Sequence, residues 1–276
     1  MQAFGLFDLM GPAMVETVLL AGILSYLGLH VLRRQVIFAD LALAQIAAMG
    51  ATIGFIIGMA PDSTGVWIFS FLFTAIGAAI FALGRVEDAR VPQEAVIGLT
   101  YAIAAATVVL LVSKAPDGAE HIEQMLVGDI ISTRWPFIAV SAGLVAAVAL
   151  FHFWKRDTFL AISEDPHAAA RRGLRLRLWD FLFYLSFGIV IVLSVRIAGI
   201  LLVFSFLVVP TSIAALCTSS WSRRLLIGWL VGVIVTVLGL VLSYVADVPS
   251  GPAIVVLLGI FLLLAASMRK LLRPGT

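Results

Sequence analysis

Apolar positions in this chain neither alternate nor keep to a single helical stripe. They fill whole runs, on every face a helix would present. Such runs lie at about 13–32, 37–59, 66–84, 95–113, 136–154, 179–195, 199–218, 225–246 and 251–268. Each approaches or exceeds the roughly 20 residues that carry an α-helix across a bilayer core. A spanning β-barrel would instead alternate polar and apolar positions over shorter segments. The pattern predicts an all-α, polytopic membrane protein with about nine transmembrane helices in a single transmembrane domain, residues 1–276. The seventh run follows "RIAG" closely and contains Pro210, so a broken span and a re-entrant one both fit it. Proline removes a backbone donor and frees a carbonyl, which a membrane helix tolerates only where protein or water satisfies the freed group.

Composition agrees. The chain is 62% hydrophobic and only 12% charged, with a mean hydropathy of +1.12, where a soluble domain carries about a quarter charged residues. The first residues, "MQAFGLFDLMGP", lack the basic start and cleavage site of a signal peptide. The single cysteine, Cys217, forms no intrachain disulfide and reads as packing within its apolar run. No "GxxxxGK[ST]" loop occurs, so this chain does not bind ATP in that way.

The distribution of charge orients the spans. Of the 18 Lys and Arg residues, fifteen fall on one set of connections, among them Arg33, Arg34, Arg85, Arg90, Lys155, Arg156, Arg223, Arg224 and Arg269. Lys114, Arg134 and Arg196 fall on the other set. The basic side is the cytoplasmic one, which predicts a cytoplasmic C-terminus and, with nine spans, an N-terminus outside.

Two connections are long enough to carry function. The outer one, 113–135, contains Glu120, His121 and Glu123, residues with the chemistry for a transient metal stop and equally for a solvated loop. The inner one, 155–177, contains "SEDPHAAARRG", which has the parts of a short helix. Ser163 or Asp165 suits its N-cap and Pro166 its first position. Glu164 and Asp165 sit at the positive end of the dipole, with Arg171 and Arg172 at the negative end. Gly173 suits its stop. Such a helix rests on lipid headgroups or docks a partner.

"EDPHAAARRGLRLRLWDFLFY" resembles the coupling helix and following span of permeases in the manganese/zinc/iron family of ABC importers. "VLRRQVIFAD", "QEAVIGLTYAIAAATVVLL", "IAGILLVFSFLVVPTSIAALC" and "DVPSGPAIVVLLG" resemble further segments of that family, in the same order, from about residue 14 to 268. The resemblance implies the transmembrane permease subunit of an importer for a divalent metal ion (zinc, manganese or iron) or its chelate, in the cytoplasmic membrane of a prokaryote. It implies a second permease copy, two cytoplasmic ATP-binding subunits that hydrolyse ATP, and an extracytoplasmic metal-binding protein. It implies no catalysis by this chain, no cofactor bound by it and no nucleic acid. Glu164, Asp165, Pro166, Ala169 and Gly173 would meet the ATPase. An ion-driven secondary transporter is the alternative; such proteins rely on mid-span acids or bases and often on inverted repeats, and neither is evident here.

Family members begin the second span with Gly-Asp-Ala-Leu-Ser-His-Ala, then Leu-Pro-Gly, an Asp and a His four residues apart on one helix face. Here the stretch reads "FADLALAQIAAMG". Matching Gly50 puts Gln45 at the His and Leu41 at the Asp; matching Asp40 puts Ala44 at the His. Asp40 and Gln45 are five residues apart and point about 140° from each other on a regular helix, so they do not hold one ion together without a bend. They are the candidates for the path. Asp40 also fits the N-cap of a helix starting at Leu41, or a partner of Arg33 or Arg34. Gln45 also fits an interhelical hydrogen bond. Glu16 and His30 read as packing or interface residues of the first span, and His152 as a side chain that snorkels at the inner edge of its span.

Overall fold

The structure is a computed structural model describing residues 3–60, 63–85, 91–113, 128, 130 and 133–272, with side chains from residue 11 to 271. Among these residues every regular element is an α-helix: α1 (Ala3–Arg34), α2 (Ala39–Ile56), α3 (Thr64–Leu83), α4 (Gln93–Val112), α5 (Trp135–Trp154), α6 (Arg156–Glu164), α7 (Pro166–Arg171), α8 (Leu176–Cys217), α9 (Trp221–Ala246) and α10 (Ser250–Leu272). Eight of them, all but α6 and α7, are long and apolar enough to cross a membrane. The sixth and seventh expected runs are joined in α8, whose 42 residues would extend about 63 Å if straight, twice a bilayer core of about 30 Å. Gly199, at φ 73° and ψ 162°, lies outside helical geometry and divides α8 where the two runs meet. Only a residue without Cβ takes that backbone angle at little cost. The interruption is therefore at Gly199. Pro210 sits within continuous helix, and the Thr211 hydroxyl, 2.7 Å from the Leu207 carbonyl and 3.0 Å from that of Val208, adds a donor to the turn that proline impoverishes.

The helices cluster into two compact units. The first comprises Met1–Leu32, Gln124–Ala146 and Ser194–Thr276; the second comprises Arg33–Glu123 and Ala147–Leu193. Helices α1, α5 and α8 each continue from one unit into the other.

In the first unit, α1 lies along the second part of α8. The backbones meet at Gly28, where a Cβ would overlap the Leu207 carbonyl oxygen and press on the Thr211 methyl at 2.8 Å. Helix α9 crosses the same face of α1, with Gly228 by Ser25 and Gly232 by Ala21. Lipid tails give no hydrophobic drive for helices to associate, so contact of this kind, between small residues, holds such helices together.

In the second unit, α2 packs on α3 and α4. Helix α3 has an inverted amphipathy. Ile68, Leu72, Ile76, Ile80 and Leu83 form an exposed stripe, while Ser70, Thr74 and Gly77 are buried. Lipid solvates the stripe, and the Thr74 hydroxyl is satisfied locally by the Ser70 carbonyl at 2.7 Å. The first part of α8 runs antiparallel to α3, with Gly188 against Thr74 and the Tyr184 ring edge-on to Phe81 at 5.4 Å. Cys217, expected to pack, is exposed at the end of α8, because the helix stops there and turns toward α9.

Gly28→Ala is expected to lower the unfolding midpoint in detergent, at a cost of about 1–3 kcal/mol for overpacking. Gly98→Ala, where a Cβ meets nothing within 4 Å, should leave the midpoint unchanged or raise it. Equal midpoints for the two variants would contradict the α1–α8 contact.

Candidate functional site

Helix α2 starts two residues too early for Asp40 to be its cap. Phe38 occupies the N-cap position and Asp40 lies in the first turn, with no capping hydrogen bond. The Phe38 N–H donates instead to Glu94 Oε1 at 2.9 Å, from the first turn of α4. Glu94, fifty-six residues along the chain, thus supplies the cap that the sequence assigned to Asp40. Asp40 does not pair with Arg33 or Arg34 either. It is 1% exposed, and neither carboxylate oxygen has a hydrogen-bond partner. Glu94 Oε2 is also buried without one. The two acids interact electrostatically, and among the described residues no ion pair is made to either. Uncompensated burial of carboxyl groups is costly; a cation or a proton between them relieves the cost.

Gln45 is buried on the same helix. Because α2 runs unbroken from Ala39 to Ile56, the bend that would aim Gln45 and Asp40 at one point is absent. His121 and Glu123, with Glu120, lie outside the described residues. Among the described residues no group of three or more His, Cys, Asp or Glu is placed to hold a metal ion.

The other titratable residues of the spans are packed. The Ser141 hydroxyl of α5 donates to Glu16 Oε1 at 2.5 Å, and Glu16 is fully buried. The His30 ring meets Tyr26 and Trp221 edge-on, at 4.8 and 5.0 Å. His152 does not snorkel. It is 1% exposed, with Nε2 2.8 Å from the Ser186 hydroxyl and its ring stacked on Phe159 at 4.2 Å. Helix α6 brings Phe159 over the imidazole and so closes the route to water.

The inner loop folds as two short helices rather than one, with Asp165 extended between them at φ −145° and ψ 92°. Asp165 Oδ1 accepts the Ala168 N–H at 2.8 Å, and Pro166 occupies the first turn of α7. The turn after α7 is closed by the Gly173 N–H on the Ala170 carbonyl and the Leu174 N–H on the Ala169 carbonyl, with Gly173 left-handed at φ 83°. Glu164 and Asp165 face solvent while Ala169 is buried, so α7 has one face packed and one free. The hydrogen bond from Ala168, followed by the charge of Arg171, holds the Asp165 carboxyl below the usual carboxylate range.

A charge cluster completes the second unit. Asp180, 1% exposed, accepts from Arg34 Nη1 at 2.8 Å through one oxygen and pairs with Arg85 through the other. The Arg34 guanidinium lies 4.0 Å over the Phe183 ring, and its Nε donates to Ser163 Oγ at 2.9 Å. In the sequence, Arg85 serves only to orient the spans, and Arg34 to orient them or to pair with Asp40. The signal that could have found the cluster is Asp180 itself, an acid at the head of an apolar run.

The model of the ABC 3 transport family matches residues 6–269. Manganese transport system membrane protein MntC of Listeria innocua is 23% identical over 270 residues, covering 94% of this chain and 90% of the relative. Chelated iron transport system membrane protein YfeD of Yersinia pestis is 25% identical over 224 residues, covering 81% and 73%. The fold is similar to PsaBC from Streptococcus pneumoniae in complex with Fab, with a TM-score of 0.77 at 22% identity over 95% of this chain and 92% of that one. It is also similar to an inward-facing metal-chelate type ABC transporter, with a TM-score of 0.73 at 16% identity over 97% and 90%.

The Asp165 cap has a definite pH dependence. Its lowered value means that the stabilisation of α7 is present above the ordinary carboxylate pKa and is lost as pH falls through the folded one. Hydrogen exchange at the Ala168 amide should therefore be protected at neutral pH beyond the intrinsic rate and lose that protection in acid. Asp165→Ala should remove the protection at every pH, and Asp165→Asn should keep it without the pH dependence. Protection in Asp165→Ala equal to that of the parent would remove the cap from the account.

Proposed function

The chain belongs to the ABC 3 transport family, and from that premise we propose that it is the membrane-spanning permease subunit of an importer that moves a divalent metal ion or its chelate across the cytoplasmic membrane. Two copies form the path, an extracytoplasmic binding protein delivers the ion, and two cytoplasmic ATP-binding subunits supply the energy. The basic connections face the cytoplasm, with the C-terminus, and the N-terminus lies outside. The metal names carried by MntC and YfeD support the substrate class.

The observation that carries the metal reading is the pair of acids at the heads of α2 and α4. Asp40 is buried with both oxygens unsatisfied, and Glu94 has one spare. Carboxylate oxygen is a hard ligand suited to Mn and Fe and accepted by Zn. Two carboxylates alone make a weak site, and a site on a transport path has to release its ion. Gln45 lines the same helix further along and contributes polarity rather than charge. His121 and Glu123 are the outer candidates for ion capture. Ion translocation by this chain involves no covalent chemistry. Its residues exclude water, offer ligands and change exposure; hydrolysis takes place on the partner.

Docking falls to α7. Glu164, the last residue of α6, and the cap Asp165 are exposed just ahead of it, Gly173 closes the turn after it, and Ala169 seats the helix on the protein.

Purification of the chain with its cytosolic partners should recover an ATP-binding subunit, and a proton gradient should not replace ATP in driving uptake. Asp40→Ala should lower uptake of Mn²⁺, Zn²⁺ or Fe²⁺ by about tenfold or more, the scale of losing a ligand-shell group, with expression unchanged. Glu94→Gln separates charge from capping, because the amide oxygen still accepts the Phe38 N–H; it should keep the fold and reduce uptake. Uptake at the parental rate in Asp40→Ala would return Asp40 to a structural role.

A further inference from the structure

Ser163 is where the inner loop is tied to the spanning helices. It lies at the end of α6, two residues before the Asp165 cap of α7, and is buried. Its hydroxyl accepts from Arg34 Nε at 2.9 Å. The same guanidinium donates through Nη1 to Asp180 in the first turns of α8 and covers the Phe183 ring. Asp180 in turn holds Arg85, two residues past the end of α3. One side chain at the end of α1 thus fixes the loop, α8 and, through Asp180, the end of α3.

The chemistry suits transmission rather than simple anchoring. Guanidinium donors form a rigid planar fork, so displacing Ser163 relative to Asp180 rotates or breaks the fork instead of being absorbed by a flexible stem. Hydrogen bonds to charged groups are also the strong ones, more so in a low-dielectric setting. Nη2 is buried without a partner, so the guanidinium has a donor in hand for a second arrangement when the loop moves. Both α1 and α8 continue from this unit into the other, α1 without a break and α8 with one at Gly199, so motion entering at Arg34 has α1 as an unbroken helix to follow.

We infer that Arg34 is a positioning residue for energy coupling: it clamps the α6–α7 loop to Asp180, so that displacement of α7 by the ATPase moves α1 and α8 instead of flexing the loop. The inference rests on the reading of α7 as the ATPase-docking helix. It adds a linkage that neither α7 nor the acids of α2 and α4 contain.

The test uses the permease assembled with its ATPase partner in liposomes and Mn²⁺ as the probe. Four forms are compared: parent, Ser163→Ala, Arg34→Lys and the double variant. Three quantities are read: ATPase subunit recovered per permease, ATP hydrolysed, and Mn²⁺ carried. Recovery and hydrolysis should hold in all four. Mn²⁺ carried per ATP should fall about tenfold in Arg34→Lys, the scale of losing one hydrogen bond to a charged group. It should fall less in Ser163→Ala, and the double variant should be no worse than Arg34→Lys, since both changes remove the same link. A parental ratio in Ser163→Ala and in any recovered Arg34→Lys overturns the clamp, as does a fall in hydrolysis in step with transport. Should Arg34→Lys assemble poorly, the ratio in Ser163→Ala decides alone. A parent chain that recovers no ATPase subunit fails at the earlier step and overturns the proposed function itself.

Discussion

The ionic contact between Arg34 and Asp180 sets the architecture of the second unit. A carboxylate 1% exposed at the head of an apolar helix is costly without its countercharge in place. Asp180 has two, Arg34 and Arg85, one on each oxygen. To provide them, the end of α1 and Arg85, two residues past α3, must converge on the first turns of α8. Around that point Phe183, Phe159, His152 and Tyr184 pack ring against ring, which keeps the site dry and the pairing strong. Polar partners nearby follow the same logic: Gln93 reaches the Phe81 carbonyl and the Tyr184 hydroxyl, at 2.9 and 3.3 Å.

The first unit solves a different problem. Apolar helices gain nothing from facing each other rather than lipid, so contact has to come from shape. Gly28, Gly228 and Gly232 let three helices approach until side chain meets backbone. Where proline would loosen one of them, the neighbouring hydroxyl of Thr211 bonds carbonyls within its own turn, and the backbone of α1 lies directly against Leu207. The same economy recurs at Thr17, Thr74 and Thr236, whose hydroxyls each bond the carbonyl four residues earlier. A hydroxyl satisfied within its own helix asks nothing of the neighbours, which leaves the packing face free to be close.

How much of this was legible in the sequence depends on the range of the interaction. Continuous apolar runs placed the spanning helices, and Gly199 falls where two of those runs were drawn end to end. The Asp165-Pro166 start and the Gly173 stop of α7 are local signals, each read within a few residues. Other features were out of reach because their causes are distant in the chain. Asp40 has the sequence look of an N-cap, yet the cap comes from Glu94. Asp180 and Arg34 are 146 residues apart, and nothing local distinguishes Arg34 as a buried partner from Arg33 as a topogenic charge. His152 sits at the edge of its run, where a snorkelling side chain belongs; only the return of α6 with Phe159 encloses it. The surroundings of Asp40 were only half legible for another reason. The spacing of Asp40 and Gln45 excludes joint ligation, but it does not point to α4 as the source of a second acid.

Three buried acids show how differently the fold compensates a carboxyl group. Asp180 is fully compensated by two cations. Glu16 is half compensated, with Ser141 on one oxygen and nothing on the other. Asp40 has neither, and its near neighbour is another acid. A protein that needed Asp40 only for stability would do better with an apolar residue of similar volume, since an unpaired buried charge is among the more destabilising features a core can hold. A cation or a proton at Asp40 removes that cost. The structure thus pairs the buried carboxylate of Asp180 beside the α6–α7 loop and leaves both oxygens of Asp40 and Oε2 of Glu94 without a hydrogen-bond partner at the heads of α2 and α4.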